Sequence, residues 1–182
     1  LAFAARHAGR GPRLVALAMG PLGVASRILG GRTGAPFTFA SPESGRETAP
    51  GQLPASVLAD TYRVRSISPS TRVYGLLGSD VLRSLSPAIQ NRAFAERGED
   101  AVYVPLQAES MAAFASALPA LSLSGFSVTR PYKGAILPHL DSVAPNAAEK
   151  NPAAVTPICT AERNRFGLRA SVATRAPRRP RS

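Results

Sequence analysis

Tryptophan is absent, cysteine occurs once, at Cys159, and lysine occurs twice, at Lys133 and Lys150. A single thiol excludes an internal disulfide framework and suits a reducing, cytoplasmic setting. Without a lysine before residue 133, the first two thirds of the chain cannot supply a Schiff-base nucleophile. No apolar run approaches the about 20 residues that a membrane-crossing helix needs, so no membrane partner is expected. A glycine-rich G-x-G-x-x-G turn is also missing, and no dinucleotide site is readable. No metal site is expected. The first residues lack a charged start, an apolar stretch and a small-residue cleavage site, which argues against a secretory signal. A first residue of leucine suggests a chain cut from something longer.

What is plentiful is positive charge. The 182 residues carry a formal net charge of +11. Residues 151–182 hold seven arginines and one glutamate, so more than half of the excess lies in a short tail rich in Arg, Pro and Ala. Such a composition predicts a disordered basic tail that would meet phosphates weakly, without sequence preference and with steep salt dependence. A basic module binding nucleic acid or an anionic surface is therefore the alternative to an enzyme. Phe166 is the tail's one aromatic, a poor platform for stacking bases, so no specific nucleic-acid partner is expected.

The rest of the chain alternates apolar runs with helical patterns, which predicts an α/β fold with a parallel sheet. Arg13–Gly20 and Ala35–Ala40 read as strands, with a short helix between them and another over Pro54–Arg65. Residues 66–70, with Pro69, form a polar bridge that divides 1–65 from 71–150. Val73–Gly78 reads as a buried parallel strand, followed by a helix from Pro87 to Arg97 that Ser86 is placed to cap. Ala101–Leu106 is the next strand, Met111–Leu118 an amphipathic helix, and Gly125–Thr129, at the end of an apolar run from Leu121 to Val128, a third strand. A helical turn or two follows Lys133.

Ligands of open α/β sheets sit outside the carboxyl ends of the strands. Two segments fall there. Ser84 and Ser86 lie two apart, so in an extended stretch their hydroxyls point the same way and can share one carboxylate. Thr129 ends the third strand, and Lys133 follows at the start of a helical turn. Two serines, a threonine and an ammonium suit a small polar acid bearing hydroxyls. On its own Ser86 would be read as a helix cap, and Lys133 as a surface charge.

The order of these motifs is more specific than any one of them. Tyr74-Gly-Leu-Leu-Gly78, Ser84-Leu-Ser-Pro-Ala-Ile-Gln-Asn91, Tyr103-Val-Pro105 and Gly125-Phe-Ser-Val-Thr-Arg-Pro-Tyr-Lys133 together resemble the substrate-binding domain of shikimate dehydrogenases. That resemblance implies that Ser84, Ser86, Thr129 and Lys133 hold shikimate or 3-dehydroshikimate. It also implies that Lys133, paired with an aspartate, handles the hydroxyl proton during NADP-dependent hydride transfer. After Lys150 the family's Ile-Gly-Ala-Val-Asn-Thr type of segment is replaced by Asn151-Pro-Ala-Ala-Val-Thr156. The family's substrate-binding asparagine, the aspartate partner and the nicotinamide domain are thus expected to be missing, as in a truncated or frame-shifted gene product.

Ser26-Arg27, Phe37-Thr-Phe-Ala40 and Ala49-Pro-Gly-Gln52 resemble the last two β/α units of a type I 3-dehydroquinate dehydratase barrel. The resemblance implies that Arg27, Thr48 and Gln52 once held the substrate carboxylate and hydroxyls, with Thr48 standing where the family's usual residue is serine. Arg27 offers the planar fork that such a carboxylate needs. Two units out of eight cannot close a barrel. The expectation is a fragment of a bifunctional dehydratase–dehydrogenase: an incomplete barrel end, a parallel-sheet substrate domain over 71–150, and a disordered tail.

Overall fold

The computed structural model describes residues 2–7, 13–143, 157–161 and 168–172. In chain order the regular elements are α1 (Ala2–His7), α2 (Val24–Ile28), β1 (Arg72–Gly78), α3 (Ser86–Glu96), β2 (Ala101–Gln107) and α4 (Met111–Leu121). They are followed by β3 (Gly125–Val128), β4 (Ser142–Val143), β5 (Pro157–Ala161) and β6 (Leu168–Val172).

One sheet runs in the order β2-β1-β3-β5-β6-β4. β1 pairs in parallel with β2 on one side and with β3 on the other. The chain therefore leaves β1 towards β2 and comes back across β1 to reach β3. Right-handed crossovers put the two connecting helices on opposite faces. The packing bears this out. Val73 and Leu77 of β1, the β2 residues Val102, Val104 and Leu106, and Phe126 and Val128 of β3 share a buried cluster with Met111 and Phe114 of α4. The Phe114 and Phe126 rings meet edge to face with centroids 5.2 Å apart. Leu76, Val81 and Tyr103 form a smaller cluster on the other face, under Phe94 of α3. Alternation along each strand assigns the two faces.

β2 is an outer strand, and its free side is occupied by side chains. Arg63 Nη2 donates to Ala101 O at 3.2 Å. Asn91 of α3, 2 % exposed, donates to Tyr103 O at 2.8 Å and accepts from Tyr103 N at 2.7 Å. Pro105 takes the next outward position, where a missing N–H costs nothing. On the other side of the sheet, β5 pairs antiparallel with β3 and β6 antiparallel with β5. Part of the segment expected to be a disordered tail is thus strand, because β3 presents a row of backbone groups that β5 satisfies. The rest of 151–182 lies outside the described residues.

The first 69 residues depart more from expectation. Neither Arg13–Gly20 nor Ala35–Ala40 joins a ladder. Their backbone groups go elsewhere: Ala18 N donates to Ser26 Oγ at 3.0 Å, and Gly20 N to Pro50 O at 3.0 Å. An isolated bridge joins Ser41 to Pro54. The helix expected over Pro54–Arg65 is split into a π-turn, Val57–Thr61, and a 3-10 turn, Val64–Ser66. Arg63 between them is left-handed, with φ 49°. Val24, Ile28, Leu29, Leu58, Tyr62 and Ile67 still bury themselves in the larger sheet cluster.

Two smaller corrections concern helix ends. The helix expected to end at Leu118 continues to Leu121 as α4, Ser122 turns left-handed at φ 47°, and β3 starts at Gly125 as expected. Ser86 is the first residue of α3 and makes no capping bond; Leu85 occupies the cap position.

Candidate functional site

In an order of β2-β1-β3 the chain departs from β1 and β3 in opposite directions, which opens a crevice between their carboxyl ends. Both expected loops lie there. Residues 79–85 leave β1, and Thr129–Lys133 leave β3. They abut closely: a Cβ on Gly78 would lie 2.6 Å from Thr129 Cγ2 and 2.7 Å from Val81 Cγ1. Glycine at this point lets the two strand ends come together. Thr129 N donates to Leu77 O at 2.8 Å, which carries the β1–β3 ladder one residue into the loop.

The structure brings Ser84 and Ser86 together. Ser84 Oγ donates to Ser86 Oγ at 3.1 Å, and Ser86 N donates back to Ser84 Oγ at 3.2 Å. This contact comes from a turn at Leu85, φ −76° and ψ −11°, and not from the extended geometry anticipated for the pair. Freed from capping, the Ser86 hydroxyl keeps its own proton to give. Both serines, Thr129 and Lys133 are half-buried. Thr129 and Lys133 stand on the β3 side of the crevice, and no bond joins them to the serines. Tyr132, between them, is anchored by its hydroxyl to Ala108 O at 2.8 Å, which ties this loop to the end of β2. The two loops carry Arg83, Arg130 and Lys133 against one acid, Asp80, so the crevice favours an anion.

Two further polar residues matter near these elements. The helical period left Asn91 or Arg92 for the packed face of α3, and it is Asn91 that faces inward, with Pro87 one helical turn before it. Ser127, half-buried, lies on the same face of β3 as Thr129, two residues earlier. Burial pushes the Tyr103 phenol up from its ordinary value, and the neighbouring Ser127 hydroxyl offsets part of that rise. A polar residue on the packed face of a helix, and a tyrosine in an otherwise apolar strand, were the available signals.

The second set of expected residues also converges. Arg27 is 2 % exposed; its Nη2 donates to Pro50 O at 3.2 Å and approaches Met19 Sδ at 3.5 Å, while its Nε has no partner. Among the described residues no carboxylate pairs with it. Thr48 N and Oγ1 both donate to Gln52 Oε1, at 2.8 and 3.2 Å. Arg27 thus reaches the turn that holds Thr48 and Gln52. A buried guanidinium without a counter-ion is costly unless an anion meets it.

Residues 1–69 match the type I 3-dehydroquinase family, and residues 76–154 match the shikimate dehydrogenase substrate binding domain. The chain joins a type I 3-dehydroquinase segment to a shikimate dehydrogenase substrate-binding domain. The same pairing occurs in the bifunctional 3-dehydroquinate dehydratase/shikimate dehydrogenase of Arabidopsis thaliana, which is 39 % identical over 133 residues, or 73 % of this chain and 22 % of that protein. A shikimate dehydrogenase (NADP(+)) of Synechococcus sp. (strain JA-3-3Ab) is 49 % identical over 86 residues, 46 % of this chain and 30 % of its own length. A crystal structure of shikimate dehydrogenase from Aquifex aeolicus superposes with TM-score 0.51 and 32 % identity, covering 57 % of this chain and 38 % of that one. The chain thus spans under a third of the length of these two curated relatives. These matches favour the shikimate-pathway enzyme reading over the basic binding module. Among the described residues no helix is long and apolar enough to cross a membrane.

The cofactor named for the Synechococcus relative is NADP(+). Among the described residues, the substrate-binding domain offers it no glycine-rich strand-to-helix turn: β1 leads into Ser79–Leu85 and β3 into Thr129–Pro131.

Proposed function

We propose that the β1/β3 crevice binds shikimate or 3-dehydroshikimate, in a chain that belongs to a bifunctional dehydratase–dehydrogenase of the shikimate pathway, working in a cytoplasmic setting. The observation that carries this reading is the joined hydroxyl pair Ser84–Ser86 after β1, with the Thr129–Lys133 loop leaving the adjacent strand β3 at the same end of the sheet. Ser84 and Ser86 offer one wall of hydroxyls for a carboxylate. Thr129 supplies a hydroxyl from the other wall, and Lys133 a cation that holds and exchanges the proton of the reacting hydroxyl. With no nicotinamide cradle in the described residues, the chain by itself binds substrate and turns nothing over. Arg27, Thr48 and Gln52 form a second carboxylate subsite of the dehydratase kind. That subsite does no dehydration, because the Schiff-base lysine it would serve has no counterpart before Lys133.

Titration calorimetry of shikimate into the full chain tests the crevice. Lys133→Ala removes a charge-assisted bond, so affinity falls roughly 10- to 100-fold. A wild-type chain that takes up no shikimate, or a Lys133→Ala variant that binds as well, sinks the reading. Steady turnover of shikimate with NADP by the purified chain would overturn the claim that it is catalytically incomplete.

A further inference from the structure

We propose that Met19 is an oxidation site whose sulfoxide caps the buried guanidinium of Arg27, so that oxidation sets how readily Arg27 takes a carboxylate. The Met19–Arg27 contact stands on its own. Its meaning for binding rests on reading Arg27, Thr48 and Gln52 as a carboxylate subsite. The chain has two methionines. Met111 is buried in the core cluster, whereas Met19 is 62 % exposed. An oxidant in solution therefore meets one thioether and not the other.

That thioether touches a cation short of partners. Arg27 Nη2 donates to Met19 Sδ at 3.5 Å and to Pro50 O at 3.2 Å, its Nε has no partner, and among the described residues no carboxylate answers its charge. A thioether sulfur is a weak acceptor, so the guanidinium is poorly satisfied while Met19 is reduced. Hydrogen peroxide transfers one oxygen atom to Sδ. A sulfur lone pair forms the S–O bond as the O–O bond breaks; the sulfur is oxidised, the peroxide is reduced, and water leaves. The new oxygen sits on the atom already in contact with Nη2 and accepts a charge-assisted hydrogen bond there. Methionine sulfoxide reductases reverse the step, which makes the cap a switch. A carboxylate that pairs with Arg27 displaces only sulfur in the reduced chain, and a strong acceptor in the oxidised one.

The full chain is treated with hydrogen peroxide, and peptide mass spectrometry places the added oxygen on Met19 with Met111 unmodified. Urea unfolding then compares treated and untreated chains. An exposed methionine without such a neighbour gains no stability from oxidation, because its oxide is equally solvated in the folded and unfolded chain. Here oxidation lowers the unfolding equilibrium constant roughly 3- to 10-fold, the worth of one partly exposed hydrogen bond to a charged group. Met19→Leu, treated alike, shows no gain and accounts for oxidation elsewhere, at Cys159 for instance. Arg27→Leu abolishes the gain. Should that variant fail to fold, Met19→Gln, whose amide oxygen stands in for the sulfoxide, reproduces the gain without peroxide. In the Lys133→Ala chain, with its β1/β3 crevice weakened, oxidation lowers the calorimetric affinity for 3-dehydroshikimate roughly 3- to 10-fold. A chain that takes up none fails the carboxylate-subsite reading, while the unfolding comparison still decides the cap. No stabilisation on oxidation, a gain that survives in Arg27→Leu, or a Met19→Gln chain no more stable than the wild type overturns the cap. An affinity that oxidation leaves unmoved overturns its control of binding.

Discussion

Replacing Asn91 by aspartate changes one NH2 into an oxygen and little else in shape. In the native chain the Asn91 Nδ2 donates to Tyr103 O at 2.8 Å and its Oδ1 accepts from Tyr103 N at 2.7 Å, with 2 % of the residue exposed. Asn91→Asp keeps the acceptor and sets a lone pair against the Tyr103 carbonyl. It leaves that carbonyl unsatisfied and buries a charge with no cation beside it. The lost bond and the desolvation together cost about 2–4 kcal/mol at pH 7. The loss has a pH signature. Burial and the facing carbonyl both disfavour the ionised form, so the introduced carboxyl titrates above its unfolded value of about 3.9. A group raised in this way contributes stability fully below the unfolded value and loses it as pH rises through the folded value. In acid the protonated carboxyl donates to Tyr103 O as the amide did. Urea unfolding of variant and wild type at pH 7 and near pH 4 reads both effects. A deficit under about 1 kcal/mol at pH 7, or one that does not shrink in acid, refutes the clamp.

Gly78→Ala puts a Cβ 2.6 Å from Thr129 Cγ2, so stability falls by about 1–3 kcal/mol and shikimate affinity falls with it; unchanged melting and binding would contradict the close approach. Burial raises the Tyr62 phenol from 10.0 to about 12. Between those values the unfolded chain has lost the proton and the native chain has kept it, so stability falls with rising pH. Tyr62→Phe removes that share of the alkaline loss, visible as a flatter denaturation profile above pH 10, and an identical profile would refute it. Arg27→Met removes a buried cation whose Nε is unpartnered, so unfolding free energy stays level or rises by about 1 kcal/mol, and a loss above about 2 kcal/mol would mean that the guanidinium holds this region together.

The dehydrogenase half was legible because its strands are apolar runs buried on both faces, as at Val73–Gly78 and Ala101–Leu106, and each is followed by a helix with a clear start. Ser84, Ser86, Thr129 and Lys133 could be placed at strand ends from that alternation, helped by the family's motif order. The contact between the two serines was foreseen with the wrong local geometry, because the turn at Leu85 has no strong signal in the sequence. Residues 13–20 and 35–40 read as strands because their composition is strand-like. A ladder needs a neighbouring chain segment, and in this fold Ala18 and Gly20 find Ser26 and Pro50 instead. On α3 the helical period left Asn91 or Arg92 for the packed face, and the two bonds to the Tyr103 backbone settle it on Asn91.

The plugged outer side of β2 bears on how this molecule behaves when crowded. A strand from another copy could lengthen the sheet there only by first displacing the Arg63 and Asn91 side chains, and it would then meet a proline at 105. At the far end, among the described residues, the sheet finishes in β4, two residues long, which is too short a template for stacking. Concentrated preparations should therefore resist growth into fibrils by edge pairing, and the bare apolar side chains of the described residues, the Phe37–Phe39 pair together with Met19, Leu85 and Ile89, are where clumping would start instead.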